Sequence, residues 1–188
     1  MTHKKKNRLD DMDIPYLKDI YSQARDRYKP RDIKVLIIVE APPCALDRFF
    51  YFEDVKTQDS LFLEIMGILY PRDKELYLKS KRETSLKEQL LERFRTDGFW
   101  LLDLYELPTD YISAKDTDPA LHLIQRIKKT VSAHPDIILV KANVYDMCYS
   151  KLLNEGYHVI DERIPFPGSG QQGVFREKFQ RALQQCRV

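Results

Sequence analysis

Four short apolar runs punctuate the chain, at 34–39, 99–105, 136–140 and 157–161, and each has the length and the β-branched or aromatic content of a buried strand. Stretches of helical periodicity lie between them, so the order reads strand, helices, strand, helix, strand, helix, strand, helix. That alternation predicts an α/β fold, a three-layer sandwich whose central four-stranded sheet is mainly parallel and covered by helices on both faces.

The helices carry their own boundary marks. In an N-terminal helix Pro15 takes a first-turn position, where its missing N–H is harmless. Leu17, Ile20, Tyr21, Ala24 and Tyr28 form its apolar stripe, and Pro30 ends it. A second stripe, Leu61, Phe62, Ile65, Met66 and Leu69, is expected to stop at Pro71. Ser85 and Glu88 have capping-box spacing ahead of Leu86, Leu90, Leu91 and Phe94, and Gly98 supplies the exit. Asp118-Pro119 opens the next helix, with Leu123, Ile124, Ile127 and Val131 inward and Pro135 beyond its end. Asn143 is expected to cap another helix, which leaves at Gly156, and Ser169 and Gln172 repeat the capping-box spacing before Phe175, Phe179, Ala182 and Leu183.

Length and composition narrow the reading further. A chain of 188 residues lies within the range of one domain and can bury roughly two-thirds of its unfolded surface around one core. Residues 1–188 are therefore read as a single domain, with 1–12 as a flexible basic tail. A hydrophobic content of 43% with 32% charged residues is that of a globular protein, not a disordered chain. No apolar run reaches membrane-spanning length, and the basic start at Lys4, Lys5, Lys6 and Arg8 lacks the apolar segment of a signal peptide, so a cytoplasmic protein without a membrane partner is expected. Cys44, Cys148 and Cys186 are odd in number and widely spaced, which suits reduced thiols. His122, His134 and His158 lack metal-ligand spacing, and no P-loop or dinucleotide-binding glycine pattern occurs, so neither a metal nor a cofactor is expected. The net charge of +2 does not by itself announce nucleic acid, although Lys79, Lys81 and Arg82 form a second basic cluster in what reads as a loop.

In open parallel sheets ligands sit beyond the carboxyl ends of the strands, which selects the loops at 40–52, 106–111, 141–143 and 162–172. The first reads Val39-Glu40-Ala41-Pro42-Pro43-Cys44 and continues to Phe49-Phe50-Tyr51-Phe52. An acid at the end of a buried strand is costly unless something polar meets it. Glu40 therefore either orients a water or ligand or caps a neighbouring turn, and the aromatics either stack on a planar ring or belong to the core. The last loop, Ile164-Pro165-Phe166-Pro167-Gly168-Ser169-Gly170-Gln171, has the glycines and the helix start of an anion site and equally of an ordinary capped turn. Cys44 has no evident histidine base, which argues against a thiol nucleophile.

Taken together these loops resemble the uracil-DNA glycosylase superfamily over about residues 34–183. Its Gly-Glu-Ala-Pro-Gly motif is matched by Val39-Glu40-Ala41-Pro42-Pro43, and its His-Pro-Ser-Pro motif by the stretch from Ile164 to Gly170. A strand ending in a base-reading Asn, then a proline, resembles Leu102-Asp103-Leu104-Tyr105-Glu106-Leu107-Pro108. The resemblance implies a base-flipping pocket in which Glu40 handles the attacking water, Phe49 or Phe50 stacks on the extruded base and Asp103 reads its edge, while Ser169, Gly170 and Gln171 hold a phosphate. Ile164 replaces the motif histidine, the donor for the departing base, and Arg163 or Gln171 stands as a candidate replacement. Asp103, an acceptor-only group when ionised, would favour an amino-bearing edge over the imide of uracil.

Three functions follow as expectations. One is a monomeric, cofactor-free glycosylase that excises a damaged or modified base from nucleic acid, expected to be DNA. Another is a relative that binds nucleic acid or a nucleobase-containing ligand without cleaving it. The third is an unrelated α/β hydrolase or protein-interaction domain with chance motif matches.

Overall fold

The protein is described by a computed structural model over residues 14–57, 59–112, 118–131, 134–168 and 170–187. The basic segment 1–12 and Ser169 thus lie outside the described residues. The elements run α1 (Ile14–Arg27), β1 (Val35–Val39), a 3-10 turn at Leu46–Arg48, α2 (Ser60–Leu69), α3 (Pro71–Lys79), α4 (Thr84–Thr96) and β2 (Phe99–Asp103). A second 3-10 turn at Thr109–Tyr111 follows, then α5 (Pro119–Thr130), β3 (Asp136–Leu139), α6 (Ala142–Asn154), β4 (His158–Val159) and α7 (Gln172–Gln185).

All four strands are parallel, in the order β2-β1-β3-β4. β1 lies at the centre because all five of its residues are apolar and buried, as a strand covered on both faces requires. Its register places Val39 beside Asp103 on one side and Ile38 beside Leu139 on the other, so three strand ends finish level. Right-handed crossovers send the β1-to-β2 connection and the β2-to-β3 connection to opposite faces. The packing agrees: α2 contacts α3 and α7 and α3 contacts α4, while α5 and α6 pack together, the latter against β3 and β4. Among the described residues no helix is long and apolar enough to cross a membrane, and all three cysteines are free thiols.

Several boundaries differ from the periodicity. Pro71 does stop α2, but it also opens α3 at once: Tyr70, with φ −136°, ends one helix and precedes the next, and a proline at the first helical position forfeits no hydrogen bond. The Tyr70 hydroxyl holds this corner by donating to Asp97 Oδ2 at 2.8 Å. Lys79 closes α3, so only Lys81 and Arg82 of the second basic cluster lie in the turn, both at positive φ. The Ser85–Glu88 capping box does not form. Glu83 occupies the N-cap without a side-chain capping bond, and Ser85 Oγ donates to its carboxylate instead. Gln171 is the N-cap residue of α7, again without a side-chain capping bond. Asp118 does cap α5, accepting from Leu121 N at 3.1 Å, with Pro119 at the first position.

The second and fourth strands are shorter than their apolar runs. Leu104 N and Tyr105 N still donate to the Val39 and Glu40 carbonyls, but ladder register ends at Asp103. Only His158 and Val159 of the fourth run pair as a strand, against Asp136 and Ile137. Gly98 enters β2 at φ +89°, where a Cβ would lie 2.7 Å from the Lys34 side chain, so both conformation and space require glycine there.

Candidate functional site

The strand order reverses direction around β1: the chain leaves it toward β2, then returns past it to β3. Helices therefore diverge above the carboxyl ends of β1 and β3, which opens a crevice at that switch point. A cavity of about 380 Å³ occupies it, lined by Glu40 after β1, Asp103 at the end of β2, Lys141 after β3 and Phe166 from the 162–172 loop. Pro42, Pro43, Phe49, Phe50 and Leu101 make its walls largely apolar, while Arg48 and Asp59 add charge. The volume falls in the roughly 300–1,000 Å³ range of small-molecule sites.

Glu40 is met by two donors. Lys141 Nζ pairs with Oε2 and Asn143 Nδ2 donates to Oε1, so both carboxylate oxygens are engaged. Asn143 is therefore not the helix cap: α6 begins at Ala142 with Lys141 in the N-cap position, and the amide turns to Glu40. Lys141 sits at φ +86° and ψ 132°, a conformation that costs a non-glycine residue of order 1–3 kcal/mol. Its N–H donates to the Ile164 carbonyl at 2.9 Å, which fixes the residue across the sheet edge. Sequence reasoning assigned no role to Lys141 and only a helix-capping role to Asn143. The legible signal was their place in the third selected loop, directly after an apolar strand.

Asp103 is 2% exposed, and its Oδ2 has no hydrogen-bond partner among the described residues. Burial pushes its carboxyl up to about 7, against the opposing attraction of Arg25 and Arg126. Arg126 spends its guanidinium on main chain, donating to the Asp103 and Leu104 carbonyls. Arg25 donates to Ser22 Oγ at 3.0 Å, and its own buried Nε also lacks a hydrogen bond.

Asp59 caps α2 by accepting from Phe62 N at 3.2 Å and pairs with Lys87 Nζ, also at 3.2 Å. The Lys87 side chain is fully buried, with its ammonium 4.3 Å from the Phe62 ring centroid. Burial lowers Lys87 to about 8 and raises Asp59, the usual penalty on desolvated charge. Neither residue was singled out from the sequence, because a lysine within an amphipathic helix reads as surface.

The other expected site residues divide. Phe49 and Phe50 line the cavity, but both are buried and locked edge-on: Phe49 against Tyr21, Tyr51 and Phe52, Phe50 against Tyr51 and Phe62. They form a fixed wall. Phe166, with Gly168 close beside its ring, is 42% exposed where Phe49 and Phe50 are buried, and the sequence reading gave it no role. Gly170, at φ +83°, and Gln171 are exposed and do not line the cavity. Arg163, expected as a candidate donor to the pocket, instead grips Asp146 with its guanidinium at 2.9 and 2.7 Å on the surface. Gln171 fares no better, being outside the cavity wall. Ile164 is fully buried, bridged to Val140. Cys44 lines the cavity, but its thiol donates to Asp110 Oδ2 at 3.2 Å, and burial together with that contact raises it, the opposite of an activated thiolate.

Among the described residues no cluster of histidine, cysteine, aspartate and glutamate could hold a metal ion. The arrangement can nevertheless engage a polar, planar ligand: an ion pair and an amide at one side, a buried carboxyl at another, apolar walls between them and an aromatic ring at the mouth. No known protein family, no curated protein and no solved structure matches this chain.

Proposed function

We propose that the chain is a divergent relative of the uracil-DNA glycosylases that takes an extruded base of nucleic acid into the switch-point cavity and hydrolyses its N-glycosidic bond. The observation that carries this reading is the convergence of Glu40, Asp103 and Lys141, from three successive strand ends, in one cavity with apolar walls. Glu40, held by Lys141 and Asn143, orients a water toward the sugar carbon. As the water oxygen bonds to that carbon and the carbon–nitrogen bond breaks, a water proton passes to the carboxylate and the electron pair leaves with the base. Lys141 is the cation beside this charge, and a donor among apolar walls is worth more than the same group in water. Phe166 stacks on the extruded ring.

A second reading, binding without cleavage, draws on a separate observation. Both Glu40 oxygens already accept hydrogen bonds, and the buried Ile164 brings no donor of its own.

Base release from single strands and duplexes carrying uracil, hypoxanthine, xanthine or alkylated bases separates the two. The glycosylase reading expects release that Glu40→Gln lowers by about 10²–10⁴-fold, and a larger KM for Lys141→Met. Salt-dependent binding with no release across the panel would leave the binding reading. Neither release nor binding would overturn both.

A further inference from the structure

We propose that Asp103 meets its ligand as a neutral carboxylic acid, whose proton, on Oδ1, is donated to a ring nitrogen or carbonyl oxygen of an uncharged heterocycle. The proposal rests on the reading that the cavity takes a base, and it names the class of base edge that Asp103 accepts. It also reverses the expectation from sequence, in which an ionised Asp103 accepts from an amino group.

Geometry argues for the neutral form. Oδ2 is sealed from solvent and has no donor among the described residues, so a carboxylate would leave part of its charge uncompensated there. A carboxylic acid leaves only a carbonyl at that place, and Oδ1 is then the oxygen left to meet a ligand. The neighbouring cations do not neutralise it by contact, because Arg126 bonds main-chain carbonyls and Arg25 bonds Ser22. Tyr21 of α1 and Tyr51 also face Asp103, and burial holds both phenols neutral well above the physiological range. Glu40, Asp59 and Lys141 share the cavity wall with it. In this environment the carboxyl titrates near 7, so the donor form is present in mildly acidic to neutral solution.

An acid of this kind pairs with uracil O4, hypoxanthine O6 or cytosine N3, all acceptors on uncharged rings. An ionised carboxylate meets all three with repulsion. Above the midpoint only the protonated fraction binds, so the apparent affinity falls in proportion to that fraction.

The test is calorimetric binding of free uracil, hypoxanthine and cytosine between pH 6 and pH 8. With a midpoint of about 7, wild-type affinity falls about tenfold across that interval. Asp103→Asn keeps a donor that does not titrate, so its affinity for uracil stays level with pH, which also controls for Lys87 titrating near 8. Asp103→Leu loses binding at both ends. The carboxyl carbon of Asp103, followed by NMR in the wild-type protein, gives a midpoint that rises when uracil is bound. Bases that bind with the same affinity at pH 6 and pH 8, or a carboxyl already ionised at pH 6, would overturn the proton and leave the cavity reading intact. Absence of binding by all three bases at pH 6 would overturn the cavity reading and the proposal with it.

Discussion

Replacing Asp103 by asparagine tests the energetics of the site without any ligand. An aspartate of the unfolded chain titrates near 3.8, whereas Asp103 in the folded protein titrates near 7. Below about pH 3 both states hold the proton, and the residue has no pH-linked effect on stability. Between the two values the folded state holds a proton that the unfolded state has released, so stability falls as pH rises; above about 7 the deficit is complete. At about 1.4 kcal/mol per tenfold difference in proton affinity, the interval sets a ceiling of about 4 kcal/mol. Relaxation of the surroundings lowers this, and roughly 2–3 kcal/mol is expected. Asparagine is isosteric and does not titrate, so Asp103→Asn removes the slope, but its amide brings a donor whose lack of a partner costs about 1–3 kcal/mol at every pH. The informative quantity is therefore the difference between variant and wild type as a function of pH. Urea unfolding at pH 4, 5, 6, 7 and 8 measures it. The variant gains on the wild type by about 2–3 kcal/mol from pH 4 to pH 8, with most of the change complete by pH 7. A difference that stays constant to within 0.5 kcal/mol, taken as about the precision of such fits, would refute the argument that burial keeps this carboxyl protonated.

Two further outcomes concern the walls of the cavity. Lys87→Met strands the Asp59 carboxylate in the interior and is expected to cost about 3–5 kcal/mol in chemical denaturation, while the double variant Asp59→Asn with Lys87→Met recovers most of that loss, because an uncompensated charge costs more than an absent pair. At Lys141 the positive φ favours glycine, so Lys141→Gly is expected to exceed Lys141→Ala in thermal or urea stability by about 1–3 kcal/mol, and both variants lose the contact to Glu40. Equal stability of these two would show that the backbone there is unstrained.

The placement of the site was largely legible in the chain. Apolar runs that alternate with amphipathic segments imply a parallel sheet, and a parallel sheet implies a ligand crevice at its carboxyl edge; Glu40, an acid directly at the end of such a run, stood out on those grounds alone, whereas Asp103, inside the run 99–105, drew notice only through the motif resemblance. Lys141 was less visible. A lysine after a strand is common in surface loops, and only the pairing of β1 with β3 brings it to a carboxylate that lies 101 positions away. Arg163 shows the converse, since its place in a selected loop suggested the cavity, whereas Asp146 one turn into α6 holds it at the surface. Pro71 was read as a stop because proline breaks a helix from within, and the same residue starts one equally well.

By itself the sequence determined the number of strands, the layering and the sheet edge at which the cavity lies, since these follow from local periodicity and chain direction. Tertiary structure decided the burial and partners at that edge: that Glu40 is held by Lys141 and Asn143, that Asp103 lies deep enough and is little enough paired for its carboxyl to be pushed up to about 7, and that Phe49 and Phe50 are buried wall while Phe166 stays exposed. The physical reason is that protonation and partner choice depend on desolvation and on distances between residues remote in the chain, which register and crossovers set and local pattern does not.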